Sequence, residues 1–319
     1  MAFALVFRSP LAFFLFASLT FVTALLVLEE TGLQGLAYLH SRRAQLWHML
    51  IALAPTAWLT SLVLMLGDFE SYRSAWPPTR RGRMAVLLCL GPLVFLLALP
   101  LLAQLVIQRE DPRLSTLLAP LVSGFAARLI GMSVLGVSVA ALQASALVGI
   151  HLQFLGRLPK YQQLAEHPGP ESLDEDVRWY LLHQAQMRRF LRAAATVLGI
   201  SMLGVGALRN VLNEVLPASA EPFPIEPVMS YGLYYTGLIA SLYVPAHRTQ
   251  KQVGQALAER LVWQTLGAHP TWKQRLEEQQ AIRDHLGLRD SAIQELQQGL
   301  AVLAPFLASL SSLALGAGG

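Results

Sequence analysis

This sequence has little charge, almost no lysine and a single cysteine. Charged residues fill 14% of its 319 positions, against about 25% in an average soluble domain. Cys89 stands alone, so no disulfide can form within the chain, and no zinc-type Cys/His spacing occurs. Lysines number 3 against 21 arginines, a usage that points to a GC-rich, bacterial genome and to nothing mechanistic. No GxGxxG, GKS/GKT, HExxH or GxSxG motif is present. No catalytic motif, cofactor fingerprint, metal site or nucleic-acid signature therefore stands up, and none of these is expected.

What is there is apolar sequence, 54% of the chain. Met84–Ile107 runs for 24 residues without a charge. As a helix it would be about 36 Å long, enough to cross a hydrocarbon core of about 30 Å. Arg80, Arg81 and Arg83 precede it and Arg109 follows. Five more segments read as spans: Pro10–Leu28, Leu46–Leu66, Leu129–Ile150, Phe190–Leu208 and Val228–Ala246. Arg8 before Pro10–Leu28 resembles a secretory leader. The run is long for one and no small-residue cleavage site follows, so it reads as an uncleaved first span.

The loops carry an orientation signal. With the N-terminus in the cytoplasm, the inside pieces hold 18 Lys and Arg and the outside pieces 6; without the long tail the ratio is 11 to 6. Cytoplasmic loops are enriched in these cations, so both termini are expected in the cytoplasm of a bacterial cell, with the spans in its inner membrane. The outer loop 209–227 is acidic and proline-rich, a stiff extended connection. Residues 114–156 are harder to divide. An interfacial or re-entrant piece, 114–127, ahead of one span agrees with the cation count better than a hairpin of two spans.

The loop 157–189 has an internal order of its own. Ser172 and Glu175 have capping-box spacing, and Asp174, Glu175 and Asp176 suit the positive end of a helix. The acidic trio reads as a helix start in water rather than as a cation site. The helix should continue into the fifth span, with Arg188, Arg189 and Arg192 at the membrane surface, as Arg80, Arg81 and Arg83 are at the third. The tail 247–319 reads as three helices stopped by Gly267, Gly287 and Gly316, with weaker boxes at Thr271–Gln274 and Ser291–Gln294.

Within the spans the pattern is helix packing rather than chemistry. Ala141, Ser145 and Gly149 repeat every four residues, as do Ala195 and Gly199; small residues let helices approach closely in lipid. Tyr231, Tyr234, Tyr235 and Tyr243 fit interfacial belts. His48 and His151 read as locally bonded interfacial histidines, and His183 as solvated. The span cores hold no Asp, Glu, Lys or Arg, whereas ion-coupled transporters usually carry one. Gly91-Pro92 and Pro100 make the third span a candidate broken helix, though such prolines more often only kink one.

The sharpest pattern is a heptad seam in the last helix, 291–315: Ile293, Leu296, Leu300, Leu303, Leu307, Leu310 and Ala314. Three readings stay open. The seam docks within the chain, joins two chains, or belongs to a seventh span, for which Gly299–Leu315 offers 17 uncharged residues.

The expectation is an all-α, multi-pass membrane protein of about six spans in three blocks: 1–156, 190–246 and the intervening and terminal cytosolic parts. Its leading function is non-enzymatic, a scaffold or signalling component whose cytosolic helices bind a protein partner or a second copy. A channel or permease is the first alternative, marked by a polar cavity lined by Ser133, Ser138 and Gln143. An intramembrane or interfacial enzyme is the second, marked by a cluster of His48, His151 and acidic side chains.

Overall fold

A helix of this length and hydropathy needs no partner strand, since every backbone group bonds within it. Accordingly, all regular structure among the described residues is α-helix. The computed structural model describes residues 9–29, 41–110, 125–166, 173–216, 221–266, 271–288 and 292–317. The helices are α1 (Pro10–Glu29), α2 (Arg42–Gly67), α3 (Phe69–Ala75), α4 (Arg80–Glu110), α5 (Phe125–Glu166), α6 (Asp174–Val215), α7 (Glu226–Thr265), α8 (Trp272–His285) and α9 (Ala292–Ala317).

Four stretches are long and apolar enough to cross a membrane: Arg42–Gly67, Arg80–Pro100, Ile130–Gln162 and Asp174–Glu214. They hold most or all of the second to fifth expected spans. Pro10–Leu26 and Gly299–Ala314 are apolar but shorter. The sixth expected span lies in α7, which is not among the four because Tyr231, Tyr234, Tyr235, Tyr243 and several Ser, Thr and Gly dilute its hydropathy. Leucines point outward from these helices, Leu88 being 72% exposed; hydrocarbon suits such a surface and water does not. Prolines 92 and 100 both sit inside an uninterrupted α4. Most of 114–127, with Pro120 and Gly124, falls outside the described residues.

α5 and α6 have 42 residues each and α7 has 40. At 1.5 Å per residue they are about 60 Å long, twice the hydrocarbon thickness. Each therefore has a half that extends well beyond its apolar segment, and these halves pack together. The two ends of the bundle differ. At one, the Ser41 hydroxyl donates to Glu214 Oε2 at 2.9 Å, and Arg209 Nε donates to the carbonyls of Phe223 and Pro224 at 2.9 and 3.0 Å. The Phe223 amide donates to Asn213 Oδ1 at 2.7 Å. The connection to α7 is thus tied to the end of α6. At the other end, α3 meets α5 and α6, whose long polar halves join that of α7 around the largest buried cluster, which includes Phe154, Tyr161, Tyr180, Met187, Val253 and Leu257.

The caps follow local chemistry. Thr271 and Gln274 form a reciprocal capping box that starts α8. Gly287, at φ 64°, ends it in the left-handed conformation that a Cβ would strain. α6 starts from Leu173 without a side-chain cap; Ser172 and Ser291 lie outside the described residues.

α9 does not stand apart from the bundle. It packs on α6 and α7. Asn210 Nδ2 donates to the Ser312 carbonyl at 3.0 Å, and the Phe306 amide donates to Thr236 Oγ1 at 3.3 Å. A Cβ on Gly206 would lie 2.3 Å from Ser312 Cβ, and one on Gly232 2.9 Å from Ser309 Cβ. These glycines set the closeness of the contact.

A candidate functional site where two long helices hold a short one

The site is built around α3, a seven-residue helix. A helix this short leaves most of its carbonyls without partners in its own ladder. Side chains from α5 and α6 supply the donors. Gln153 Nε2 donates to the carbonyls of Ser74 and Ala75 at 2.8 and 2.9 Å. Gln186 Nε2 donates to the Ser71 carbonyl at 2.9 Å, with Ser71 Oγ at 3.0 Å and Ser74 Oγ at 2.8 Å. Tyr72 shares a 2.8 Å hydrogen bond with the Ser145 hydroxyl. Gly149 completes the fit, since a Cβ there would lie 2.5 Å from the Ala75 carbonyl oxygen.

His183 belongs to this cradle and corrects the expectation that it is solvated. It is 2% exposed. Its Nδ1 bonds the Trp179 carbonyl at 2.8 Å, and Nε2 faces the Ser74 carbonyl at 3.4 Å. The ring lies 4.4 Å from the Trp179 ring centroid and edge-on to Phe154. Burial holds its pKa below the usual 6.5, with the two carbonyls acting in the opposite sense.

Next to it sits a charged group. Asp176, 9% exposed, accepts from Arg157 at 3.0 Å and from Lys160 at 3.2 Å. The Arg157 guanidinium also covers Trp179, 3.9 Å from the ring centroid. One member of the acidic trio is therefore a structural ion-pair partner, while Asp174 and Glu175 are exposed. Tyr161 is buried beside the group, and burial raises its pKa. On the α7 side, Gln250 Nε2 donates to the Tyr180 hydroxyl at 3.1 Å, whose pKa burial pushes up to about 12. A Cβ on Gly254 would come within 2.5 Å of that hydroxyl oxygen. Gln184 Nε2 reaches the Leu286 carbonyl at 3.2 Å and ties the end of α8 to α6.

The cations expected at the membrane surface are spread around this end. Arg80, Arg81 and Arg83 are exposed at the start of α4, Arg192 is exposed on α6, and Arg188 is half-buried. Arg189 forms an ion pair with Asp68. That pair borders an open cavity of about 410 Å³ lined by Ser9, Pro10, Phe13, Leu64 and Gly67. Of the packing residues, Ser145 and Ala195 are buried, and Ala141 lies against the Leu93–Leu97–Ala144 cluster. Gly199 faces the Ala304 carbonyl, 3.9 Å from its notional Cβ. Two of the four tyrosines are packed rather than belted. Tyr243 is 4% exposed, and Tyr235 packs against the buried clusters. Tyr234 donates to the Leu96 carbonyl at 2.7 Å.

The seam of α9 faces away from the chain. Leu300, Leu303, Leu307 and Leu310 are 39–47% exposed, while Ser309 and Ser312 are fully buried. The side chains of Ile293 and Leu296 lie outside the described set.

This arrangement holds helices. Its amide N–H groups donate to backbone carbonyls and to hydroxyls, while Gln186 Oε1 and Gln250 Oε1 are buried without a hydrogen-bond partner. Ser138 bonds its own helix at Val134, and Gln143, wholly buried, donates to Ser61 Oγ at 2.6 Å. Gln143 Oε1 is buried without a partner. Among the described residues no three His, Cys, Asp or Glu side chains converge as metal ligands. Reading the sequence misses Gln153, Gln186 and Trp179, whose only signal is glutamine and tryptophan on helix faces that otherwise look exposed, and Asp68, the cap residue between α2 and α3. Comparisons of the chain with protein-family models, with curated proteins and with solved structures find no match.

Proposed function

We propose that this protein is a non-enzymatic membrane scaffold that presents its long helices to a protein partner in the cytosol. In this reading α1, α2, α4, α5, α6 and α7 cross the membrane, with the N-terminus and the α3 cradle on the cytoplasmic side. The loop cation bias supports that orientation. The cradle serves as a rigid mount.

The observation that carries the reading is the surface of α7 and α8. α8 has 14 residues, none of them buried. Trp272 is 78% exposed, Trp263 54% and Leu276 44%, and the Arg275 guanidinium stands 4.7 Å from the Trp263 ring centroid. Tryptophan and arginine are the residues that most often dominate protein interfaces. Trp263 is also about 25 Å along α7 from Ala246, the end of the expected span, out of reach of lipid headgroups. A protein partner fits that position.

The test is co-purification from membranes with Trp263→Ala and Trp272→Ala combined. The expected result is unchanged membrane yield and thermal stability, with loss of a stoichiometric partner that the unaltered protein retains. An identical set of co-purifying proteins would overturn the proposal.

A further inference from the structure

We propose that α9 is a seventh membrane-embedded helix, with its leucine seam against acyl chains, and that it carries the C-terminus to the face opposite the α3 cradle. The inference rests on α6 crossing the bilayer. It replaces the expectation of a cytosolic tail with both termini on one side.

Depth is the first argument. Ala304 lies beside Gly199, the middle of the expected span Phe190–Leu208, and Ser312 lies beside Gly206 and Asn210 at its far end. Numbers rise together, so α9 runs parallel to α6. Against α7 they run oppositely: Phe306 meets Thr236, and Ser309 meets Gly232. Ala301 and Val302 pack against the cluster that holds Phe190, Leu191 and Leu198. Whatever depth the apolar half of α6 occupies, α9 occupies too. Its end at Ala317 then lies near Val215, at the end of the bundle where Ser41 meets Glu214.

Composition agrees. No charged residue follows Glu295, and the part of α9 beyond it, residues 296–317, is about 33 Å long, with the apolar Gly299–Ala314 about 24 Å of that, against a hydrocarbon core of about 30 Å. Pro305 lies inside the helix, and Ser309 Oγ returns to its carbonyl at 3.0 Å while Ser312 Oγ returns to that of Ser309 at 2.7 Å. The hydroxyls are satisfied without water.

The third argument is which face docks. In water a helix buries its leucines and exposes its serines. α9 buries Ser309 and Ser312 and leaves Leu300, Leu303, Leu307 and Leu310 exposed. Small residues meet across the Gly206–Ser312 and Gly232–Ser309 contacts, as in helix pairs packed in lipid, and the leucine stripe is left outside. Acyl chains are the occupant that this inverted arrangement suits.

Single cysteines in a Cys89→Ser background test the crossing with a membrane-impermeant thiol reagent on intact cells, before and after lysis. Denatured protein sets full labelling. Ser291→Cys precedes α9 and Gly318→Cys follows it; Glu221→Cys reports the α6–α7 connection. Gly318→Cys should label from the same face as Glu221→Cys, and Ser291→Cys only from the other. If Gly318→Cys and Ser291→Cys label from the same face, or Gly318→Cys fails to label from the Glu221 face, α9 does not cross. Should Glu221→Cys label from the Ser291 face, it is the reading of α6 that fails. A polarity-sensitive fluorophore on Leu307→Cys identifies what covers the seam. Quenching by acyl-chain-brominated lipid in reconstituted vesicles is expected. Its absence would place a second copy or water there and overturn the lipid-facing seam.

Discussion

The two halves of α6 pack by opposite means. From Asp174 to Arg189 the helix buries an aspartate, a histidine, two glutamines and a tyrosine, each held by a named partner. From Phe190 to Val215 it buries apolar side chains such as Leu191, Val197, Met202 and Val211, and it approaches α9 most closely at Gly206, with Asn210 as the polar contact to that helix. On the proposed crossing of α6, the first half adjoins water, where bringing helices together gains the hydrophobic effect and leaves polar groups to specify which surfaces meet. The second would then face hydrocarbon, where leucine gains little by leaving lipid and close backbone approach is what attracts. One continuous helix therefore follows two packing rules and changes over near Arg189 and Arg192.

The strongest way to break this contrast is Gly149→Leu. Its added side chain would meet the backbone of Ala75 and Trp76, which cannot rotate aside. A loss of about 3 kcal/mol or more is expected, since overpacking against backbone exceeds the usual side-chain cost. Gly156→Ala is the control: nothing lies within 4 Å of its notional Cβ, so a gain of up to about 1 kcal/mol from helix propensity is expected. Unfolding midpoints in detergent measure both. Equal effects would show that the cradle yields.

Asp176→Asn tests the watery half. It keeps the shape and removes the charge facing Arg157 and Lys160. Breaking a fully buried pair costs about 3–5 kcal/mol, and an exposed pair about 0–1. Asp176 is buried but both cations are at least a third exposed, so about 2 kcal/mol is expected. His183 gives a pH signature in the same half. Burial holds its folded pKa below 6.5, so the unfolded chain binds the proton more readily. Stability is full above about pH 6.5 and declines as pH falls below it. His183→Gln should flatten that slope in unfolding midpoints taken from pH 7 down to 5. An unchanged slope would mean the ring is not buried.

Much of this was legible and some was not, for physical reasons. Met84–Ile107 announces its helix because an uncharged run of that length has few other fates. The Thr271–Gln274 box and Gly287 are local signals, and local signals survive folding. The burial of His183 is not legible locally, because Phe154 and the Ser74 carbonyl that cover it come from other helices, the latter 109 positions away. The heptad seam of α9 shows which leucines share a face. It does not say whether that face looks inward, because the inward face in lipid is chosen by smallness rather than hydropathy. The Ser309 and Ser312 face carries no apolar periodicity, so nothing in the pattern singles it out.

The smallest expected effect is at Gln143. Its side chain is wholly buried between α5 and α2; Nε2 donates to Ser61 Oγ, and Oε1 has no partner. Gln143→Leu removes a hydrogen bond and also removes an unsatisfied carbonyl oxygen. In lipid such side-chain bonds contribute about 0.6 kcal/mol on average, whereas an orphaned buried acceptor costs about 1–3 kcal/mol. The two terms oppose, so a change within about 1 kcal/mol is expected, with stabilisation the favoured sign. At Gln186 in the cradle Oε1 is likewise without a partner, but the same substitution removes a donor that serves three acceptors, the Ser71 carbonyl and the Ser71 and Ser74 hydroxyls, and should destabilise by about 1–2 kcal/mol. A large loss at Gln143 would mean that this glutamine has a partner of its own along the spans. The contrast between the two halves would then rest on Gly and Ser contacts alone, and a solute path beside Ser61 would become the reading to pursue by flux measurements in vesicles.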